Sequence, residues 1–525
     1  MARDANAARV DNPTAAGDVA EAVRRDPISP AEVIGVLALL GAAVLLRSVD
    51  LAGFPAELHN DEMSCGLEAR CFLGGDPPPL FGTGWYAIPN FSFFLASLSM
   101  RIAGDSLLGL RAGSVALGVL SLLALWLLAL TVPFHWHVHL SRTGHIYIQA
   151  TFFTVLTLYF FVLAVRTGRV FLFGLAGLAL GLCFQVYDGA KLTPLLLVSW
   201  AVALAIGGQP EARPAFRGLG VVALVAGAVS VPLLMTYRAT PGLFFHRLSR
   251  VWVFSAEVAE HVRNVSGTSS PAGVLAQHLW QTAGFWFGGY DTSFQYGYRS
   301  GFVEPTLLVP FILGLGLALR QLRRPGISLF LLWQAETLVA GSVLSVDALF
   351  SPHLAGMATA VLFFPALFFD EAWRRLRRTP TPPLRWLGPI GLMVVLVFSW
   401  FGNLESYFLT YREERPAGFL EEAAGLLVAR PGTKALVNAT GAPLDCRHQA
   451  LRFVSPETRC FETDPRGYDL GRFLAADSAV RPTLLLVSPR DLRVSWLRGT
   501  YPSAPHGVVV PAPTARSFIW FRLGG

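Results

Sequence analysis

The sequence is poor in charge. Of its 525 residues only 15% are Asp, Glu, Lys or Arg, while 53% are hydrophobic and the mean hydropathy is +0.49. A soluble domain carries about 25% charged residues, and one that exchanged so many for apolar side chains would expose large sticky patches. A soluble enzyme, a disordered chain and a disulfide-framed secreted module are therefore excluded, and a polytopic membrane protein remains. Lysine is almost missing: Lys191 and Lys434 stand alone among arginines, a bias that points to a GC-rich, bacterial genome. The net charge of +7 is modest and scattered over short loops, so it sets topology rather than forming a nucleic-acid surface. There is no P-loop, Rossmann fingerprint, metalloprotease helix or nucleophile elbow, which removes ATP-driven transport and most soluble hydrolase chemistry. Internal repeats and low-complexity segments are also lacking, and the first thirty residues do not resemble a cleavable signal peptide.

Long apolar runs are what the chain does have. Segments of about 20 residues suited to a bilayer fall near 33–49, 86–103, 107–132, 148–165, 170–187, 190–207, 218–236, 305–320, 327–346, 354–370 and 386–403. Arg213 and Arg217, then Arg320, Arg323 and Arg324, then Arg374, Arg375, Arg377 and Arg378 mark the basic short loops. Placing these in the cytoplasm leaves the N-terminus inside. The expected architecture is thus a polytopic α-helical membrane protein of about eleven spans with a small extracytoplasmic α/β C-terminal domain. Its parts are a cytoplasmic tail (1–32), a transmembrane unit (33–403) with outer loops 50–85 and 237–304, and a soluble outer domain (404–525). Segment 86–103 is short and carries Arg101; a span and an amphipathic helix on the outer surface both fit it. In the last 120 residues apolar runs at 435–437 and 483–487 read as strands, and 419–428 as an amphipathic helix. Cys65 and Cys71 share an outer loop and Cys446 and Cys460 the tail; two disulfides or four reduced thiols are both open, with Cys183 alone in a span.

Five stretches carry groups that can do chemistry. The first runs from Phe54-Pro through Asp61-Glu62 to Arg70, directly after the first span, and reads as a helix capped by Asn60. Asp61 and Glu62 either complement the helix dipole or supply a general base at the membrane surface; Asp61 and Glu68 share a face at i, i+7. The second is His135-Trp-His-Val-His-Leu-Ser-Arg142, whose alternating histidines would converge only on an extended chain, while Arg142 either grips a phosphate or anchors at the interface. The third is the turn Gln185-Val-Tyr-Asp-Gly-Ala-Lys191, where Lys191 beside Asp188 is a phosphate ligand or a surface pair. The fourth ends at His353. The fifth, Gly284-Phe-Trp-Phe-Gly-Gly-Tyr-Asp followed by Phe294-Gln-Tyr-Gly-Tyr-Arg299, offers aromatics for stacking on sugars or for an interfacial belt.

Taken together these stretches resemble the GT-C superfamily of lipid-phosphosugar-dependent glycosyltransferases. The likeness is greatest to glycosyltransferase family 39, with its protein O-mannosyltransferases, and extends to the aminoarabinose transferases. It spans about residues 50–370 and includes Phe81-Gly-Thr-Gly, Pro89-Asn-Phe and Leu110-Arg111-Ala-Gly-Ser114. The resemblance implies inverting transfer of a sugar from a polyprenyl-phosphate carrier to an acceptor hydroxyl on the outer face of the cytoplasmic membrane. The acceptor would be an extracytoplasmic protein, lipid or glycan. It implies Asp61 as the base, Glu62 as an orienting carboxylate, and Arg111, Arg142, Lys191 and His353 around the carrier phosphate. No cofactor is expected, although paired acids can hold a divalent ion. Between Arg111 and Ser141 the family has room for two crossings, and this chain shows one. A lipid-linked saccharide flippase and a surface-glycan polymerase or ligase are the rival readings; ionisable groups gathered at the outer boundary favour surface chemistry.

Overall fold

A computed structural model of the chain describes residues 29–123, 128–293, 296–297, 301–430, 433–437, 448–461, 468–477, 482–489, 491, 493–510 and 517–524. Most of the tail 1–32, Phe294, Gln295, Tyr298, Arg299 and Cys446 lie outside the described residues. The helices used below are α1 (Pro30–Ser48), α2 (Asn60–Cys71), α3 (Asn90–Ala103), α4 (Leu107–Leu123), α5 (His135–Arg142), α6 (Tyr147–Thr167), α7 (Val170–Phe184), α8 (Thr193–Ile206) and α9 (Ala212–Ala239). They continue as α10 (Pro241–Val251), α11 (Pro305–Arg320), α12 (Pro325–Leu338), α13 (Phe363–Arg378) and α14 (Pro382–Glu405).

Among the described residues six helical stretches are long and apolar enough to cross a bilayer: Pro30–Ser48, Tyr147–Thr167, Asp188–Ile206, Ala212–Ala239, Pro325–Val343 and Arg385–Glu414. Two bent pairs raise the number to eight, while Val170–Phe184 and Pro305–Arg320 are apolar but shorter. The protein is a multi-pass membrane protein. Little of α1 or of Arg385–Glu414 is buried inside the protein, so apolar side chains such as Ile34, Leu37, Phe398 and Phe401 are left for lipid. Local signals set the ends: α1 starts with Pro30 behind a capping box of Ser29 and Glu32.

Segment 86–103 is not a free-standing crossing. Its helix, α3, has 14 residues, about 21 Å at 1.5 Å per residue, short of a hydrocarbon core of about 30 Å. The chain then passes through Gly104, at φ 97°, and bends by 116° into α4. The run 354–370 is likewise broken, as Ser351–Met357 and Ala360–Arg378 at 56°. Helices pack closely where a side chain is missing: a Cβ on Gly314 of α11 would lie 1.9 Å from the Phe364 carbonyl oxygen of α13.

The C-terminal part is a small α/β unit. Strands β1 (Thr433–Val437), β2 (Arg459–Phe461), β3 (Thr483–Val487), β4 (His506–Val509) and β5 (Phe518–Leu523) form one sheet in the order β2-β1-β3-β5-β4. The pairs β1–β2 and β1–β3 are parallel, β3–β5 and β4–β5 antiparallel. Central β3 is buried throughout and alternates faces. Leu485 and Val487 join Leu470 of α17 (Tyr468–Asp477) and Leu497 of α18 (Arg493–Thr500). Leu484 and Leu486 join α15 (Phe419–Ala429) and α16 (Gln449–Val454) in a core that also takes Leu58, Met63 and Ala69 from the α2 region and Leu110 from α4. The sheet unit is thereby docked on α2. Phe453 lies against Gly66, the Arg70 guanidinium stacks 4.6 Å from the Phe453 ring, and Glu421 accepts from the Leu58 N–H at 2.7 Å. The last long helical stretch continues past 403 to Glu414.

Cys65 and Cys71 are free thiols. Both sit on α2, six residues and about 9 Å apart along the axis, beyond the reach of a disulfide. Cys460 is disulfide-bonded.

Candidate active site

The loop between α1 and α2 is pinned from beneath by two arginines. The first is Arg111 of α4, fully buried, which meets Glu62 in a bidentate pair at 2.7 and 2.9 Å. Its remaining amino group donates to the carbonyls of Leu51 and Pro55 at 3.1 and 2.9 Å. Glu62 also accepts from the Gly144 N–H. Burial alone would raise the Glu62 pKa, but Arg111 more than offsets it and holds the carboxyl below its ordinary value. The second is Arg142, whose amino groups donate to Leu46, Val49 and Phe54 carbonyls at 2.9, 2.6 and 2.8 Å. Its guanidinium also stacks on Phe54 and Phe408. It thus closes the C-terminus of α1, where orphan carbonyls collect. The hydrogen bonds of Arg111 and Arg142 given above go to the protein's own backbone and to Glu62, while the buried Nε of Arg142 has no partner.

This latch presents Asp61. The helix cap is His59, whose ring nitrogen accepts from the Asp61 N–H at 3.1 Å, one residue before the Asn60 expected from sequence. Asp61 is half-exposed in the first turn of α2, within electrostatic reach of His145, Tyr147 and Tyr187. Tyr147 and Tyr187 meet edge to face at 4.9 Å, and His145 stacks on Tyr147 at 5.0 Å. Burial pushes His145 down to about 4, so it stands as neutral imidazole beside the acid.

Cations come from the other side of Tyr187. Lys191 pairs with Asp188 and lies 5.7 Å from the Tyr237 ring centre. Arg247 of α10 donates to the Tyr187 hydroxyl at 3.1 Å and lies over the rings of Tyr86 and Tyr187. Burial lowers the Arg247 pKa, but Tyr187, Tyr147 and Asp188 outweigh it, and the group is held above its ordinary value. His353 is half-buried, bonded to Ser345 Oγ at 2.6 Å and within electrostatic reach of Arg247. The structure therefore brings Asp61, Lys191 and His353 around one cluster of tyrosines with Arg247, and puts Glu62, Arg111 and Arg142 behind it. Sequence reasoning missed Arg247. The signal was present: α10 carries Phe244, Phe245 and Leu248 on an exposed apolar face and His246, Arg247 and Arg250 away from it.

The stretch 135–142 is a buried helix, so His135 and His139 share one face, against Tyr296, and His137 points away from them. His135 bonds Tyr296, His137 meets Arg47 and Ser121, and His139 stacks on Tyr296 and bonds Tyr407. Among the described residues no group of three or more His, Cys, Asp or Glu side chains is placed to hold a metal ion.

A helical membrane unit with bent helix pairs, a surface helix bearing the acid and an α/β unit docked on it is an architecture shared with a solved membrane protein. The chain resembles the crystal structure of ArnT from Cupriavidus metallidurans bound to undecaprenyl phosphate, with TM-score 0.57 and 13% identity over 93% of this chain and 98% of that one. The apo structure of the same protein matches with TM-score 0.51 and 13% identity over 94% and 98%. At such identity the likeness defines the fold. No family model and no curated protein matches the sequence.

Proposed function

We propose that the protein is a glycosyltransferase that moves a sugar, with inversion, from a polyprenyl-phosphate carrier to an acceptor hydroxyl. The reaction takes place on the outer face of the bacterial cytoplasmic membrane. The observation that carries the reading is one cluster that sets a carboxylate, Asp61, opposite the cations Arg247 and Lys191, beside apolar helices that suit a lipid substrate. A fold shared with a protein crystallised with undecaprenyl phosphate supports the choice of donor.

In this reading Asp61 takes the proton of the acceptor hydroxyl as its oxygen attacks the anomeric carbon. The bond from that carbon to the phosphate oxygen breaks, and the electron pair leaves on the carrier phosphate. Arg247 and Lys191 stabilise the charge that develops there, with His353 as a further polar neighbour. The roles first expected of Arg111 and Arg142 pass to Arg247, while Arg111, Arg142 and Glu62 fix the loop that aims Asp61. In this reading the N-terminus lies inside and the α/β unit outside.

The test is transfer from polyprenyl-phosphate sugars by wild-type and Asp61→Asn protein in lipid. Transfer by wild type that collapses in a folded mutant is expected; equal transfer by both refutes Asp61 as base. One observation favours the flippase alternative: Glu336, in the span Pro325–Val343, is bonded to Ser199 and is an intramembrane carboxylate of the kind transporters use. Carrier translocation without sugar transfer, lost in Glu336→Gln, would establish that reading instead.

A further inference from the structure

The face of α2 that begins with Asp61 continues through Ser64, Glu68 and Cys71 at helical spacing into a cleft of about 420 Å³ against the C-terminal unit. Trp85 forms one wall, and Gln449 and Arg452 of α16 form the other. A smaller space of about 230 Å³ shares Arg70 and Arg452 with it and runs on to Thr458.

The chemistry of the walls is mixed in a particular way. Trp85 offers an apolar plate, and Ser64, Glu68 and Gln449 offer donors and acceptors to hydroxyl groups. Glu68 is held in place by accepting from the Trp85 N–H at 3.1 Å. Arg70 is partly neutralised by Asp105 at 2.9 Å, yet its buried Nη1 has no partner. Arg452 is exposed, and its guanidinium has no hydrogen bond or ion pair among the described residues. The cleft therefore suits a polyhydroxylated molecule whose anionic charge meets Arg452 and Arg70.

A second feature ties this cleft to the Asp61 cluster. Tyr86 and Ala87, neither of them glycine, both have φ of 57°, a conformation costing about 1–3 kcal/mol each that persists where surrounding structure imposes it. The bend sends Trp85 into the cleft while Tyr86 lies under Arg247 and Arg250, each 5.1 Å from its ring. One strained turn thus walls both sites. From Cys71 to Asp61 is ten residues of helix, about 15 Å, the length of a short saccharide.

We propose that this cleft seats the acceptor and that the acceptor is an acidic saccharide, its anionic group on Arg452, a ring on Trp85 and its reacting hydroxyl at Asp61. The inference rests on the transferase reading above for what happens at Asp61, but the binding step is measured without it. Cys71 is an exposed free thiol, whereas Cys65 and Cys183 are buried and Cys460 is disulfide-bonded, so a maleimide reports on Cys71.

The experiment uses the full chain in zwitterionic nanodiscs and follows maleimide labelling of Cys71 with added tetramannuronate, neutral mannotetraose or phosphatidylglycerol vesicles. Tetramannuronate is expected to slow labelling several-fold and mannotetraose to leave it unchanged. Arg452→Gln, an exposed substitution, is expected to weaken the protection by about tenfold, as for one charge-assisted hydrogen bond, and Asp61→Asn to keep it. No protection by tetramannuronate, equal protection by the neutral sugar, greater protection by the vesicles, or protection indifferent to Arg452→Gln each overturns the proposal. Protection without any sugar transfer would leave the cleft as a saccharide site and sink the transferase reading; transfer without protection would do the reverse.

Discussion

Glutamate 62 stands next to the proposed base, and its substitution separates a structural carboxylate from a catalytic one. Glu62→Gln keeps the shape of the side chain and one acceptor oxygen but turns an amide NH2 towards the second donor, so that the fully buried Arg111 guanidinium has no counter-charge. Breaking a buried ion pair from one side costs about 3–5 kcal/mol. With an unfolding entropy of about 2 cal/mol/K per residue, that would move the melting midpoint by about 3–5 °C if the whole chain unfolded. Helices that persist in detergent reduce the entropy change and enlarge the shift. The assay is thermal unfolding of purified wild-type, Glu62→Gln, Arg111→Met and Glu62→Gln/Arg111→Met proteins in one detergent. Each single change should lower the midpoint, and the double change should lower it by clearly less than the sum, because the orphaned charge is gone. A Glu62→Gln protein that melts like wild type, or strictly additive changes, would refute the assignment of this pair to holding the loop.

Three other outcomes follow from the geometry. A Cβ on Gly66 would fall 2.5 Å from the Phe453 ring and 2.9 Å from Leu110, so Gly66→Ala should cost about 1–3 kcal/mol by overpacking and loosen the α/β unit, read as faster proteolysis near residues 415–418. Arg247→Met should raise the KM for the carrier about tenfold or more, as expected for losing a charged phosphate contact, whereas an unchanged KM would move the phosphate elsewhere. His145 is held at about 4 in the folded protein against an ordinary 6.5. Between those values the unfolded chain binds a proton that the folded one does not, so stability falls as pH drops from about 6.5 towards 4. His145→Gln should flatten that part of the profile, measured by thermal unfolding from pH 7 to pH 4.

Much of this protein was legible because a bilayer imposes simple rules. Apolar runs without charge had to become helices, the short apolar runs at 435–437 and 483–487 read as strands because turn signals bound them, and the helix after 419 followed from its 3.6-residue periodicity. The motif at Asp61-Glu62 could be located for the same local reason: acids belong in a first helical turn. What one dimension could not supply was what each acid meets. Asp61 and Glu62 are neighbours, yet 100° around α2 sends one towards Tyr147 and Tyr187 and the other into Arg111, 49 residues away. The fates of the arginines were equally remote, since a guanidinium binds whichever carbonyls or carboxylates tertiary packing brings within 3 Å, and for Arg142 those belong to residues 46–54. Arg247 entered the cluster only because α10 lays its polar face on Tyr187, 60 residues before it in the chain. The sequence by itself determined where the helices, strands and charged stretches lie, because those depend on contacts within a few residues. Tertiary structure alone decided which charges meet, because a salt bridge or a cleft is a property of chain segments that only folding brings together.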